Sequence, residues 1–470
     1  MRKNFFYYLS PSVLTGIVGL FVIIPVSTYY LNPEDFGIVG IITVFSGLIV
    51  PLSSTGVFWV LAGNYYKVSP EERKELISTI IIFGILLRAF WVLVIGISGF
   101  WFLPLWVSSY QGEFLLFLWL FLIAEWFNSV GEIVSYVIVL QKKGQAYAAY
   151  EIIQIVSRLS VLLIALLVFD LKTISLVLMY LGAAFGGFLF SVFYIRKYSI
   201  FSIKIKWIKE IIKRGLPTIP VNILEIIPNS LGRLFIERWS GLASLGIYSH
   251  SLYYRRMFLM VFKAFSNSYS PEIVEAASVG DRQKMIKMKE IFNNWTGFLG
   301  IAGVAVCLFS PEVIGILTHG KFISAAPIVS LWFILIMVYF FGVPYLQYLL
   351  AKKKNKIVFF SEVIPGLLFC GLTILFVRVF GMVGAAISII LYFFSTRLVR
   401  RIYAIKLGCI SFERISFWVS LVVLIGLITF KIYLLPFSFK CAIFTGLAII
   451  AFWCFDLKGI IRGALKKHYR

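Results

Sequence analysis

Long apolar stretches, each about as long as a bilayer is thick, recur along all 470 residues of the chain. A helix needs roughly 20 predominantly apolar residues to cross a membrane, and on that basis the sequence contains about fourteen such stretches. Apolar residues make up 60% of the chain and charged residues only 14%. A water-soluble fold could not bury that much apolar surface. The sequence therefore predicts an all-α integral membrane protein with about fourteen transmembrane helices.

The basic residues alternate between loops that are rich and loops that are poor in Lys and Arg. Of the 44 Lys and Arg residues, 32 fall on one predicted side, including Arg397, Arg400 and Arg401, and 6 fall on the opposite side. Loops rich in Lys and Arg face the cytoplasm, so both termini are predicted to be cytoplasmic. The net charge of +23 is thus explained by membrane topology and does not indicate nucleic-acid binding.

The two halves of the chain resemble each other. Residues 11–37 and 220–246 share Pro and Gly spacing, and LQKKGQAYAAYEII at 140–153 resembles LAKKKNKIVFFSEVI at 350–364, with Lys142 and Lys143 opposite Lys352 and Lys353. An offset of six helices preserves orientation, which predicts parallel repeats. The predicted domains are an N-terminal bundle (1–200), a cytoplasmic amphipathic linker (201–215), a C-terminal bundle (216–406), and two extra helices with a basic tail (407–470).

Polar side chains interrupt several predicted spans, and a charge inside a span costs roughly 2.5 to 3.5 kcal/mol. No basic residue lies between Pro11 and Pro51, whereas the corresponding hairpin of the second half, with its turn at Ser240 and Gly241, carries several. These side chains either hold neighbouring helices together or line a polar cavity, in which arginine would favour an anion such as phosphate. The candidates are Arg88, Glu125, Asn128, Glu132, Arg158, Asn222, Glu225, Asn229, Arg233, Arg255 and Arg256.

Enzymatic and metal-binding patterns are weak. The three His residues are dispersed, the five Cys residues show no CxxC spacing, and no P-loop is present, so no metal, cofactor or catalytic residue is predicted. Glu34 and Asp35 in the first external loop allow a glycosyltransferase or polysaccharide polymerase as an alternative, against a simple helix-capping role. The external loops are too short for a catalytic domain, which favours a protein that is not an enzyme.

The chain resembles the polysaccharide flippases, which include the O-antigen translocases, of the multidrug/oligosaccharidyl-lipid/polysaccharide superfamily. The resemblance is carried by RGLPTIPVNIL at 214–224, LGRLFIERWSGLASLGIYS at 231–249 and SPEVIGILTHGKFISAAPIVSLW at 310–332. Many members have an acidic residue before the arginine of the seventh helix. Here that residue is Gly232, which leaves Glu225 or Glu237 as substitutes for an ion-coupling acid.

This resemblance implies two six-helix bundles in a V shape that move a polyprenyl-diphosphate-linked oligosaccharide across the bacterial cytoplasmic membrane. The diphosphate would bind Arg88, Arg158, Arg233, Arg255 and Arg256. The sugars or a coupling ion, Na⁺ or H⁺, would meet Glu125, Asn128, Glu132, Asn222, Glu225 and Asn229. Membrane lipid and other proteins of polysaccharide assembly are further expected partners. A lipid II flippase and an exporter of drugs or cations remain alternatives.

Overall fold

The computed structural model describes residues 13–53, 56–196, 198–200, 202–216, 219–413 and 415–454. Its regular structure there is helical, and no strand occurs among these residues. The helices are α1 (Val13–Tyr30), α2 (Pro33–Ser46), α3 (Ile49–Ser53), α4 (Val57–Asn64), α5 (Pro70–Trp106), α6 (Glu113–Leu140), α7 (Gly144–Val168), α8 (Lys172–Ile195), α9 (Ile205–Gly215), α10 (Ile219–Val279), α11 (Arg282–Leu317), α12 (Ala326–Ala351), α13 (Asn355–Lys406), α14 (Ile415–Thr429) and α15 (Phe437–Cys454).

Nine helices within the described ranges are long and apolar enough to cross a membrane, with α2 and α3 counted together as Pro33–Ser53. Shorter apolar helices follow at the C-terminal end, in α14 and α15. The prediction of an all-α, multi-pass membrane protein is confirmed. The number fourteen stays a prediction.

Two of the longest helices are each interrupted at one glycine. Gly241 in α10 has φ 81° and ψ 173°, and Gly381 in α13 has φ 57° and ψ −136°. A positive φ is costly for residues with a Cβ atom, so glycine suits both positions. The first break lies at the turn predicted for Ser240 and Gly241.

The second span predicted from the sequence, 36–61, is not one continuous helix. It is divided into α2, α3 and the start of α4, and Gly56 before α4 has φ 88°. A Cβ atom on Gly56 would lie 2.4 Å from the carbonyl oxygen of Ile211 in α9. The chain bends here because its backbone packs directly against that of α9, which hydrophobicity alone does not reveal.

Helix α9 is the amphipathic segment predicted as a linker. Trp207 and Ile211 are buried in a hydrophobic cluster with residues of α4, α5 and α6. Ile205 and Ile212 are exposed, and Lys204 just before the helix pairs with Glu75 at 3.0 Å. Part of the apolar surface of α9 therefore packs in the protein interior, and another part faces the surroundings of the protein.

The chain forms two compact units, Met1–Ser249 and His250–Arg470. In the first unit, α5 to α8 pack side by side, and the first part of α10 packs closely on α2: a Cβ on Gly246 would lie 1.6 Å from the Pro33 carbonyl oxygen. In the second unit, α12 is almost entirely enclosed, since 94% of its most apolar stretch is buried. The domain limits predicted from the sequence stay a prediction.

The turns after α6 and α12 have the same geometry. Lys142 and Lys353 both have positive φ, 59° and 55°, and their backbone N–H groups bond to the carbonyls of Val139 and Leu350. Lys142 therefore corresponds to Lys353, an offset of 211 residues. The sequence alignment, which set Lys142 against Lys352, was one residue out of register at this turn.

Candidate functional site

The strongest polar cluster of the first unit centres on Arg88 in α5. Its guanidinium lies 3.1 Å from the Glu125 carboxylate and 2.8 Å from that of Glu132, both on α6. The Arg88 side chain is 2% exposed, against 24% for Glu125 and 36% for Glu132. The two carboxylates lie seven residues apart on one helix face, so both can reach the same arginine.

This arrangement compensates the charge of Arg88. A small cavity beside it, lined in part by Ser53, Ser129 and Glu132, has a volume of about 10 Å³, roughly enough for one water molecule. The geometry matches the helix-linking interpretation of Arg88, Glu125 and Glu132. Their separate roles in binding diphosphate and sugar stay predictions.

Further polar groups of the first unit lie on α6 and α7. Asn128 is partly buried between Glu125 and Glu132 on the same face of α6. On α7, Gln154 donates a hydrogen bond to the Tyr150 hydroxyl at 2.7 Å, and the Arg158 guanidinium lies 5.9 Å from the centre of the Tyr180 ring. These helices carry hydrogen-bonding groups suited to sugar hydroxyls.

Arg233 in α10 contacts α2. Its guanidinium donates to the carbonyl oxygen of Gly40 at 3.3 Å and to the Thr43 hydroxyl at 3.0 Å. Arg233 thus links the two helices whose glycines already approach closely. The predicted partners on the preceding turns, Asn222, Glu225 and Asn229, have side chains outside the described part of the structure.

Two acidic residues proposed from the sequence for coupling or catalysis have structural contacts. Glu237 is 1% exposed and accepts hydrogen bonds from the backbone N–H and hydroxyl groups of Ser108 and Ser109, at 2.6 to 3.2 Å. Asp35 accepts from the Asn32 backbone N–H at 2.8 Å and from the Thr173 hydroxyl. Glu237 therefore anchors the loop between α5 and α6, and Asp35 caps α2.

In the second unit, arginines lie over aromatic rings. The Arg255 guanidinium is 4.9 Å from the centre of the Trp332 ring in α12. Arg256 is exposed, and its guanidinium lies 5.7 Å from the ring of Tyr253, one turn earlier on the same helix. A ring face attracts a cation without neutralising its charge.

Arg397 in α13 lies near two aromatic rings rather than one. Its guanidinium lies 4.8 Å from the Tyr339 ring centre and 4.6 Å from that of Phe393. Within the described residues Arg397 forms no ion pair, and its Nη1 atom is buried without a hydrogen-bond partner. Tyr339 also packs on Phe262 of α10, with ring centres 5.3 Å apart. Three helices therefore fix this guanidinium.

Arg397 was missed as a site residue because the sequence count grouped it with the basic residues of the predicted cytoplasmic side. It lies inside α13, where Phe393 precedes it by four residues, and that spacing was the available signal. Arg400 is 3% exposed and pairs with Glu362, while Arg401 in the last turns of α13 pairs with Glu413.

Glu413 fixes the loop that follows α13. Its side chain is 6% exposed and accepts hydrogen bonds from Arg401 and from the Tyr345 hydroxyl of α12. Burial raises the pKa of Glu413, but these hydrogen bonds together lower it further, so the net shift is downward. The carboxylate therefore stays ionised and holds the loop on α12.

No group of three His, Cys, Asp or Glu side chains within the described ranges is placed to hold a metal ion. The four cysteines described, Cys307, Cys370, Cys409 and Cys441, are free. The polar chemistry of these residues consists of ion pairs, amides, hydroxyls and arginines on aromatic faces. Such groups suit the binding of a polar or anionic ligand.

The fold of this chain is similar to that of several known membrane-protein structures. The chain is similar to the lipid II flippase MurJ in an inward closed conformation, with TM-score 0.73, 16% identity, and 97% of this chain and 99% of that chain covered. It is also similar to an inward-facing multidrug resistance MATE family transporter of the MOP superfamily, with TM-score 0.63, 13% identity, and 86% and 94% coverage. A eukaryotic MATE transporter, AtDTX14, matches with TM-score 0.60, 13% identity, and 89% and 98% coverage. No curated protein matches the chain by sequence.

Fold and site together define a multi-pass membrane protein with the fold of MOP-superfamily transporters. The family model described as "Polysaccharide biosynthesis protein" matches residues 1–277, more than half of the chain. The chain belongs to this family of polysaccharide biosynthesis proteins, which confirms the resemblance found in the sequence.

Proposed function

We propose that this protein is a flippase that moves a polyprenyl-diphosphate-linked oligosaccharide across the bacterial cytoplasmic membrane, without catalysing a chemical change. Membership of the polysaccharide biosynthesis family supports a glycan cargo. The fold shared with a lipid II flippase supports a cargo carried on a lipid. The distribution of Lys and Arg supports cytoplasmic termini.

The observation that carries this proposal is the pair of arginines held by aromatic rings in the second unit. Trp332 and Tyr339 lie seven residues apart on α12, on one face and about 10 Å apart along its axis. One ring contacts Arg255 and the other contacts Arg397. Both guanidiniums lie against aromatic faces, which attract a cation without neutralising its charge.

A diphosphate is the part of the proposed cargo that such arginines fit. Guanidinium groups bind phosphate oxygens through paired N–H donors and stay charged when buried. The buried, unpartnered Nη1 of Arg397 has a donor to offer. Arg88 differs, because two carboxylates already compensate its charge. We therefore assign diphosphate recognition first to Arg397 and Arg255.

The polar face of the first unit is the proposed place of glycan contacts. Asn128 on α6 and Gln154 on α7 offer amide donors and acceptors, and Glu125 and Glu132 keep a quarter to a third of their side chains exposed. Sugar hydroxyls can donate hydrogen bonds to groups of this kind and accept them from the amides.

The test is transport by purified protein in liposomes that contain a polyprenyl-diphosphate-linked oligosaccharide. Arg397→Gln is expected to lower the initial flipping rate at least about tenfold, as for loss of a charge-assisted hydrogen bond. Arg378→Gln is the control, since Arg378 lies in the part of α13 before the break at Gly381 and is exposed. It should stay within twofold of the unsubstituted protein.

Equal rates for the Arg397 and Arg378 variants, at equal amounts of folded protein in the liposomes, would contradict the assignment of the diphosphate to Arg397. Absence of flipping by the unsubstituted protein would contradict the function itself. Each reaction is run with and without a Na⁺ or H⁺ gradient, which shows whether either ion is coupled to transport.

Lipid II is a second candidate cargo, favoured by the similarity to the lipid II flippase over almost the whole of both chains. It would present the same diphosphate to the arginines, so the same liposomes loaded with lipid II separate the two cargoes by their glycans. A drug or cation exporter fits less well, because Arg255 and Arg397 would repel a cationic substrate.

A further inference from the structure

A basic cleft lies at one end of the first unit, away from the groups considered above. It has a volume of about 500 Å³. Its lining includes Arg73 and Lys74 from the first turn of α5 and Lys142 and Lys143 from the turn after α6. The described residues that line it include four basic side chains and no Asp or Glu.

Tyrosine rings hold two of these cations in place. The Arg73 guanidinium lies 4.7 Å from the Tyr65 ring centre, and its Nε atom is buried without a hydrogen-bond partner among the described residues. The Lys143 ammonium lies 4.5 Å from the ring centre of Tyr198 and donates to its hydroxyl. The cleft is therefore a preformed cationic site with aromatic walls.

The position of the cleft separates it from Arg88. Arg73 precedes Arg88 by fifteen residues on α5, which corresponds to about 22 Å along the helix. The cleft is built from helix ends: the start of α5, the end of α6, and Tyr198 just after α8. Ends of transmembrane helices with Tyr, Lys and Arg lie at the level of the lipid headgroups.

We propose that this cleft binds the phosphate headgroup of an anionic membrane phospholipid on the predicted cytoplasmic side. Basic pockets between transmembrane helices on that side suit such headgroups. Leu140 and the exposed ring of Tyr66 add apolar lining that can contact the upper part of an acyl chain. A soluble phosphate compound would meet the same cations but would gain nothing from those apolar contacts.

The structure supplies a matched control. Lys142 and Lys353 occupy the same position in equivalent turns, with φ of 59° and 55°. Replacing either by Gln carries the same backbone cost and removes the same charge. Lys142→Gln/Lys143→Gln alters the cleft, whereas Lys353→Gln/Lys354→Gln alters the corresponding turn of the second unit.

The experiment measures binding to purified, delipidated protein in neutral detergent by isothermal titration calorimetry. The ligands are dioctanoylphosphatidylglycerol, the zwitterionic dioctanoylphosphatidylcholine, and glycerol 3-phosphate. Phosphatidylglycerol is expected to bind saturably and at least tenfold more tightly than the other two. The Lys142/Lys143 variant should lose at least about tenfold in affinity for it, and the Lys353/Lys354 variant less than twofold.

Three results would overturn the proposal. Equal losses of affinity in the two double variants would indicate that general surface charge attracts the lipid. Equal binding of the two lipids would show that the protein does not distinguish the charge of the headgroup. Glycerol 3-phosphate binding as tightly as phosphatidylglycerol would indicate a soluble phosphate ligand. If the Lys142/Lys143 variant does not fold, Lys74→Gln tests the cleft from α5, with an expected loss of about fivefold.

Discussion

At the scale of single residues, the same side chain has different consequences in different surroundings. Arg88 lies between two carboxylates, Arg233 bonds to a backbone carbonyl and a hydroxyl, and Arg397 lies between two aromatic rings. The charge of Arg88 is compensated by two carboxylates, and Arg233 donates to two neutral oxygens. Arg397 keeps a donor and its charge, which is why it leads the proposal for anion recognition.

Removing Arg88 should destabilise the protein, because two partly buried carboxylates would be left close together. The expected loss for Arg88→Gln is about 3 kcal/mol, at the low end for a broken buried pair, since both carboxylates are partly exposed. The measurement is the temperature at which half of the purified protein remains folded in detergent.

The triple variant Arg88→Gln/Glu125→Gln/Glu132→Gln is the control for that experiment. It removes all three charges and should recover most of the lost stability. If the single Arg88 variant is as stable as the unsubstituted protein, the ion pairs do not hold α5 to α6.

At the scale of helices, close approach of backbones fixes the fold of the first unit. Gly246 of α10 lies against the carbonyl of Pro33, and Gly37 of α2 lies against that of Leu242. Arg233 then bonds across the same contact. Small residues at such crossings are typical of packed transmembrane helices.

Gly246→Ala should therefore separate α10 from α2. The added Cβ would lie 1.6 Å from the Pro33 carbonyl oxygen, so the helices must shift, at an expected cost of about 1 to 3 kcal/mol. Gly426→Ala in α14 is the control, because a Cβ there has no atom within 4 Å. The control should leave the thermal unfolding temperature in detergent unchanged or slightly raised. Equal behaviour of the two variants would contradict the tight crossing.

The sequence predicted helices far better than the partners of their polar residues. Hydrophobic length located the spans, and glycine located the break at Gly241, because both are local properties. The pairing of Arg88 with Glu125 and Glu132 depends on which helices are neighbours, which spacing along one helix cannot show. Arg397 was not selected as a site residue because a count of positive charges does not show which rings pack against a guanidinium.

At the scale of the whole molecule, the membrane topology predicted from the sequence can be tested directly by experiment. In a variant without cysteines, Glu34→Cys is expected to react with an impermeant thiol reagent added to intact cells, since Glu34 is exposed in a predicted external loop. Lys143→Cys, also exposed, is expected to react only after the cells are opened. The reverse pattern would invert the orientation, and with it the side on which the basic cleft faces lipid.

The single-residue break at Gly241 also bears on how the chain enters the membrane during synthesis. A single non-helical residue leaves no loop between the two parts of α10. Its parts should therefore partition from the translocon together, as a hairpin. Because its first part packs on α2, insertion of this hairpin would depend on helices already in the bilayer, and weakening that contact would reduce the yield of inserted protein as well as its stability.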